Sequence, residues 1–198
     1  MLGYLELILG PMFSGKTTYI INLYHHLLQN KQTVTVVNFA DDTRYHDKML
    51  SSHDKVMIPC SFTRRLHDVL DTDYIRMSEN ILINEGQFFE DLYECVIYLV
   101  ETLHKQVYIC GLDGDFRRQK FGTILDLVPL CDKVTKLRSK CEYCNSPALF
   151  SHRITQEKEQ LVIGTTNYVP LCRCCYVSKN YKNTNINQIE GELSLDIL

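Results

Sequence analysis

Three groups of residues in this chain have types and spacings suited to chemistry. The first, Gly10-Pro11-Met12-Phe13-Ser14-Gly15-Lys16-Thr17, fits the pattern G-x-x-x-x-G-K-[ST]. In such a loop, backbone N–H groups and the first turn of the next helix surround phosphate oxygens. Lys16 adds a point charge at the β/γ-phosphates, and the Thr17 hydroxyl is suited to ligate Mg²⁺. The second is Ile81-Leu82-Ile83-Asn84-Glu85, an apolar run ending in an acid, as in a Walker B strand. Glu85 then faces the γ-phosphate, where a carboxylate can orient an attacking hydroxyl and accept its proton. The third is the pair Cys141-x-x-Cys144 and Cys172-x-x-Cys175, with 27 residues (145–171) between its halves. Two such knuckles supply the four thiolates of a tetrahedral zinc site. Cys174 competes with Cys175, but the two-residue spacing favours Cys175. With no open coordination position, the zinc reads as structural, stapling a segment too small to hold itself together.

These groups need elements to hold them. Tyr4–Leu9 reads as a buried strand entering the phosphate loop, and Ile20, Leu23, Leu27 and Leu28 mark a helix leaving it. Further strands are expected at Thr33–Asn38, Ile81–Asn84, Val107–Gly111 and Lys133–Leu137. Helices are expected at Lys16–Gln29, Thr63–Leu70, Phe88–His104 and Thr123–Leu130. This alternation predicts an α/β fold, a doubly wound parallel sheet with a phosphate loop, whose ligands lie beyond the carboxyl ends of the strands. Residues 41–56 are polar without a clean period and read as a loop that folds over a nucleotide. The expected partition is 1–138 for the nucleotide-binding domain, 139–177 for a small C-terminal zinc-binding subdomain, and 178–198 for a poorly ordered tail.

Composition sets limits. The 198 residues suffice for one domain with a small annex, and the 45% hydrophobic content supports a core. A net charge of -3 supplies no basic field for nucleic acid. No apolar run approaches the ~20 residues of a membrane span, and the first residues lack a secretory pattern. A soluble, cytoplasmic chain is the expectation. In that compartment the nine cysteines read as metal ligands or buried thiols rather than disulfides. Cys60, Cys95, Cys110 and Cys131, scattered among apolar residues, read as buried thiols.

The chain resembles the zinc-containing thymidine kinases of cells and large viruses from about Leu7 to Tyr176. The matching pieces are Gly10–Thr17, Asp42-Thr43-Arg44-Tyr45 with His53-Asp54, and Glu85-Gly86-Gln87-Phe88-Phe89. Leu112-Asp113-Gly114-Asp115-Phe116, Phe121-Gly122, Leu127-Val128-Pro129-Leu130 and both cysteine pairs also match. The resemblance implies transfer of the γ-phosphate of ATP to the 5′-hydroxyl of thymidine or deoxyuridine, for salvage of DNA precursors. It implies Glu85 as general base, assisted by Lys16 and Arg44. It puts Gly10 to Thr17, Asp42, Thr43, Arg44, Asn84 and Gln87 on the ATP and Mg²⁺ side. A base pocket drawn from Met12, Phe88, Leu112, Phe116 and Phe121 is implied, since such pockets need flat apolar walls. A lasso loop between the cysteine pairs, here Gln160, Leu161, Val162, Ile163 and Gly164 with Tyr168 beyond, is implied to bind the pyrimidine edge through its backbone. A homotetramer and feedback inhibition by thymidine triphosphate are implied as well.

Position 84 departs from the family, which usually carries Asp there to help hold Mg²⁺; an amide oxygen accepts hydrogen bonds but carries no charge. Alternative readings are another phosphate-loop deoxynucleoside kinase or NTPase with a structural zinc, and a non-catalytic relative. A nucleic-acid-binding zinc ribbon is disfavoured by the acidic balance and the lack of a Lys/Arg-aromatic stripe.

Overall fold

A computed structural model of the chain describes residues 2–40, 49–51, 55–160 and 166–180. The first eight strands are β1 (Tyr4–Leu9), β2 (Val34–Phe39), β3 (Met49–Ser51), β4 (Met57–Pro59), β5 (Ser61–Thr63), β6 (Asn80–Asn84), β7 (Gln106–Gly111) and β8 (Lys133–Lys136). Six of them form a parallel sheet in the order β5-β2-β6-β7-β1-β8. Its central strands β1 and β6 are buried on both faces, as in a sheet covered on both sides. Leu5, Leu7, Leu9, Ile81, Ile83, Val107 and Ile109 pack into one core layer with helices α2 (His67–Leu70), α3 (Asp73–Met77) and α4 (Leu92–Ile97) and with the 3-10 turn Ile124–Leu130. The intervening residues Ile8, Val36, Leu82 and Cys110 pack on the other face against Ile20, Ile21 and Leu27. Those three belong to helix α1 (Lys16–Gln29), or αP, which follows the phosphate loop. The fold is therefore the doubly wound α/β sheet expected from the sequence.

After β8 the chain forms two small antiparallel ladders, β9 (Ser139–Lys140) with β10 (Pro147–Ala148) and β11 (Phe150–Arg153) with β12 (Tyr168–Leu171). Helix α5 (Arg173–Asn180) follows and runs past Ser178. Cys141, Ala148, Leu171, Cys172 and Tyr176 make a separate small core here.

Four expectations about elements need correction. Thr63 ends strand β5 instead of opening a helix; α2 begins at His67, where the Asp91 carboxylate accepts the backbone N–H groups of Leu66 and His67. Asp91 also opens α4, so Phe88–His104 is not one helix. It divides into a 3-10 turn at Gly86–Phe88, α4, and a π turn at Tyr98–Thr102 closed by Leu103 N–H to the Tyr98 carbonyl (3.0 Å). The segment Ile124–Leu130 is 3-10 rather than α-helical and contains Pro129, which has no N–H to give. Within 41–56, Met49–Ser51 is a strand that pairs with β4 and buries Leu50 beside Ile58.

Glu6, inside β1, fastens that strand to β8 and to αP. It is buried and accepts from Tyr4 Oη (3.2 Å), Tyr19 Oη (3.1 Å) and Thr135 Oγ1 (2.7 Å), with Lys133 Nζ at 3.0 Å. Burial alone would raise its pKa; hydrogen bonds from Thr135, Lys133 and Tyr19 outweigh burial and hold the carboxyl below its usual range. Burial, then the Glu6 charge, pushes Tyr4 up to about 12. A carboxyl depressed on folding stabilises the protein above its unfolded pKa, and that stability is lost as pH falls through the folded value. Glu6→Gln should therefore lower stability at neutral pH by about 1–3 kcal/mol and flatten the acid limb of melting temperature against pH. Thermal melts over that range check it; an unchanged acid limb would contradict it.

Candidate active site and metal centre

The phosphate loop leaves the carboxyl end of β1 and turns into αP through Gly15, whose φ of 83° lies in the left-handed region open to glycine. The N-terminus of αP has no side-chain cap and no acidic residue in its first turn, so its N–H groups and dipole remain available to an anion. Lys16 Nζ is buried and donates to the carbonyls of Gly10 (3.1 Å) and Pro11 (2.8 Å), curling over the loop. Ser14 Oγ is buried without a partner among the described residues. An orphan hydroxyl beside an uncapped helix end and a lysine fits a phosphate group. Thr17, on the first turn of αP, supplies the hydroxyl that would hold Mg²⁺.

Glu85 stands at the carboxyl end of β6, and only β7 separates β6 from β1 in the sheet. Its backbone is left-handed (φ 56°, ψ 41°), a strained state costing about 1–3 kcal/mol for such a residue. Its side chain is 9% exposed. Gln87 holds it: Nε2 donates to Glu85 Oε2 at 2.6 Å, while Oε1 accepts the backbone N–H of Leu112 at 2.9 Å. The carboxamide thus bridges the strand ends of β6 and β7. Gly111 makes room for it, since a Cβ there would lie 2.5 Å from Gln87 Oε1.

Asn84, 1% exposed, turns its amide into a buried network. Nδ2 donates to Asn38 Oδ1 (2.7 Å) on the adjacent strand β2, and Oδ1 accepts from Cys110 Sγ (2.8 Å) on β7.

An aromatic group lies beside Glu85. The Phe88 ring is 5.3 Å from Phe39 and 5.4 Å, edge to face, from Phe121. Leu112, Phe116 and Phe121 come from the segment after β7, which Asp115 shapes by accepting the N–H groups of Arg117 and Gln119, both at 2.8 Å. Gln160 Nε2 donates to the other oxygen of Asp115 (3.0 Å), joining the start of the expected lasso to this segment. Tyr168 is buried and accepts from Arg153. Asp42, Thr43, Arg44, His53, Asp54, Leu161, Val162, Ile163 and Gly164 lie outside the described residues.

The sulfurs of Cys141, Cys144, Cys172 and Cys175 lie within 4.8 Å of one another. A tetrahedral zinc with Zn–S near ~2.3 Å needs sulfurs about 3.8 Å apart, so this donor set can hold the ion. Cys174 is exposed and outside the cluster, which settles the competition in favour of Cys175. Hydrogen bonds from Ser146 pull the Cys144 thiol down to about 6, and Cys144 in turn pushes Cys175 up. Thiols this close do not all ionise without a cation among them.

The metal segment touches the phosphate loop directly. Met12 N–H donates to Ser151 Oγ (2.9 Å) on β11, and Ser139 Oγ on β9 donates to the Phe13 carbonyl (2.9 Å). Tyr176 Oη, just past Cys175, donates to the Phe116 carbonyl (2.6 Å).

The family model described as "Thymidine kinase" matches residues 3–176. The chain belongs to the thymidine kinase family. It is 39% identical to a thymidine kinase of sheeppox virus over 175 residues, covering 88% of this chain and 97% of that protein. To the cytosolic thymidine kinase of Bos taurus it is 39% identical over 178 residues, covering 89% and 73%. To a rice thymidine kinase it is 37% identical over 180 residues, covering 88% of this chain and 66% of the rice protein.

For this thymidine kinase relative, sequence reasoning missed Asn38, Asp115, Ser139, Ser151, Arg153 and Tyr176. Asp115 and Tyr176 stood within or beside matched motifs; Ser139, Ser151 and Arg153 carried no spacing signal. Cys172→Ser should lose bound zinc and melt at lower temperature, whereas Cys174→Ser should retain a single zinc per chain. Metal analysis with calorimetry checks both, and zinc loss in Cys174→Ser would overturn the ligand assignment.

Proposed function

We propose that this chain is an ATP-dependent thymidine kinase, moving the γ-phosphate of ATP to the 5′-hydroxyl of thymidine or deoxyuridine. The observation that carries the proposal is the placement of a clamped carboxylate, Glu85, one strand away from an uncapped phosphate loop, in a chain of the thymidine kinase family. Loop N–H groups and Lys16 hold the ATP phosphates in line with the acceptor. Glu85 orients the 5′-hydroxyl and takes its proton as the oxygen bonds to the γ-phosphorus and the β–γ bridging bond breaks, releasing ADP. Gln87 holds one oxygen of Glu85 and so fixes the plane in which the carboxylate meets the hydroxyl. Mg²⁺, when bound, neutralises charge on the phosphate oxygens, and Thr17 would hold it. Asp42, Thr43 and Arg44 complete the ATP side. Met12, Phe88, Leu112, Phe116 and Phe121 wall the base, with Gln160 to Gly164 and Tyr168 reading its edge.

In this account residues 1–138 bind ATP, 139–177 close the nucleoside side around a structural zinc, and 178–198 form a tail. The enzyme would work as a cytoplasmic homotetramer under feedback by thymidine triphosphate. Among the described residues no helix is long and apolar enough to cross a membrane.

Glu85→Gln should lower kcat by roughly a hundredfold or more while ATP and thymidine binding, measured by calorimetry, stay near wild type. A fully active variant would remove Glu85 as base. Asn84→Asp should lower the Mg²⁺ concentration needed for half-maximal rate. It should also cost about 1–3 kcal/mol of stability, because a carboxylate oxygen replaces the donor that Asn38 accepts. Rate titrations with Mg²⁺ and melts check the two effects; unchanged metal dependence would take position 84 out of the metal site.

A further inference from the structure

Arg153 is 5% exposed and carries a charge that proteins do not titrate away. Among the described residues no carboxylate forms an ion pair with it. Neutral groups take up its two terminal nitrogens, while Nε is buried without a partner among the described residues. Nη1 donates to the carbonyls of Glu157 (2.9 Å) and Glu159, and Nη2 donates to the Gln160 carbonyl (3.1 Å) and the Tyr168 hydroxyl. Its guanidinium carbon lies 3.9 Å from the centroid of the Phe116 ring and 5.0 Å from that of Tyr168. One side chain on β11 therefore touches the segment after β7, the segment after β11 itself, and β12.

Phe116, Gln160 and Tyr168 are three of the residues that the proposed function puts against the nucleoside. We infer that Arg153 is the positioning residue of the nucleoside half-site, fixing the Phe116 ring, the Gln160 backbone and the Tyr168 hydroxyl relative to one another. The inference rests on the kinase reading above. The Arg117 guanidinium supports the same alignment by donating to the Lys158 carbonyl at 2.5 Å. Burying a cation with no direct ion pair is costly, and an apolar side chain would pack there at lower cost. No apolar side chain would hold three carbonyls, a hydroxyl and a ring face at once. Lysine would not either, because it is a point donor without a flat face to stack.

The test is steady-state kinetics of Arg153→Lys with zinc content and melting temperature measured alongside. Thymidine KM should rise about tenfold, while kcat and the KM for ATP stay within about twofold and zinc remains bound. An unchanged thymidine KM, or equal loss toward ATP and thymidine, would overturn the inference. If Arg153→Lys loses zinc or fails to fold, Tyr168→Phe decides. It removes one Arg153 acceptor and keeps the ring, so it should raise thymidine KM by a smaller factor; no rise would overturn the inference. Wild-type turnover separates the two claims. A wild type that phosphorylates a different deoxynucleoside overturns the thymidine assignment alone, and the same KM comparison is then made with that nucleoside. A wild type that phosphorylates none overturns both.

Discussion

The Gln87 carboxamide ties the end of β6 to the end of β7, and the geometry of the site follows from that tie. With Nε2 on the Glu85 carboxylate and Oε1 on the Leu112 N–H, one planar group fixes an acid and the start of the segment carrying Phe116 and Phe121. The left-handed backbone at Glu85 is unfavourable by itself. It persists because the carboxylate is held at one side and the following 3-10 turn is packed under Gly111 and Ile124 at the other. Buried amides satisfied at both ends rigidify their surroundings, and a carboxylate that must meet a hydroxyl at hydrogen-bond distance needs that rigidity. The parallel sheet supplies the rest, since adjacent parallel strands deliver the carboxyl ends of β1, β6 and β7 to one edge.

The segment of the candidate metal centre touches the same edge. A zinc ion on the four cysteines would hold β9, β12 and α5 together where the small core of Ala148, Leu171 and Tyr176 alone would be marginal. From that platform Ser151 and Ser139 hold the backbone of the phosphate loop at Met12 and Phe13, and Tyr176 holds the carbonyl of Phe116. The candidate zinc segment is thus joined to the phosphate loop by two hydrogen bonds and to Phe116 by one. A loss of metal should therefore be felt in the phosphate loop as well as in its own segment.

Local patterns in the sequence were enough for β1, the helix Lys16–Gln29 and each cysteine knuckle, because short-range spacing encodes each of them. The run Ile81–Glu85 was legible as a strand ending in an acid for the same reason. The contacts of Gln87 and Asn84 were not. Gln87 read as an ATP-side residue, yet its amide faces Glu85 and Leu112, a contact that exists only once β7 lies beside β6. Asn84 read as a metal-site residue, yet it is joined to Asn38 and Cys110 from two other strands. Element boundaries failed where a distant side chain intervenes. Asp91 accepts the His67 N–H 24 residues back in the chain, and it stands at the start of α4, where what periodicity alone reads as one long helix is interrupted. Arg153 had no signature, because a buried arginine satisfied by carbonyls and rings obeys no fixed spacing.

The most direct test of the account is phosphoryl transfer from Mg-ATP to thymidine, deoxycytidine, deoxyadenosine and deoxyguanosine by the unmodified chain. The account predicts ADP release that depends on thymidine and matches thymidine monophosphate formed mole for mole. ATP turnover without any nucleoside, or transfer to none of the four, would contradict it.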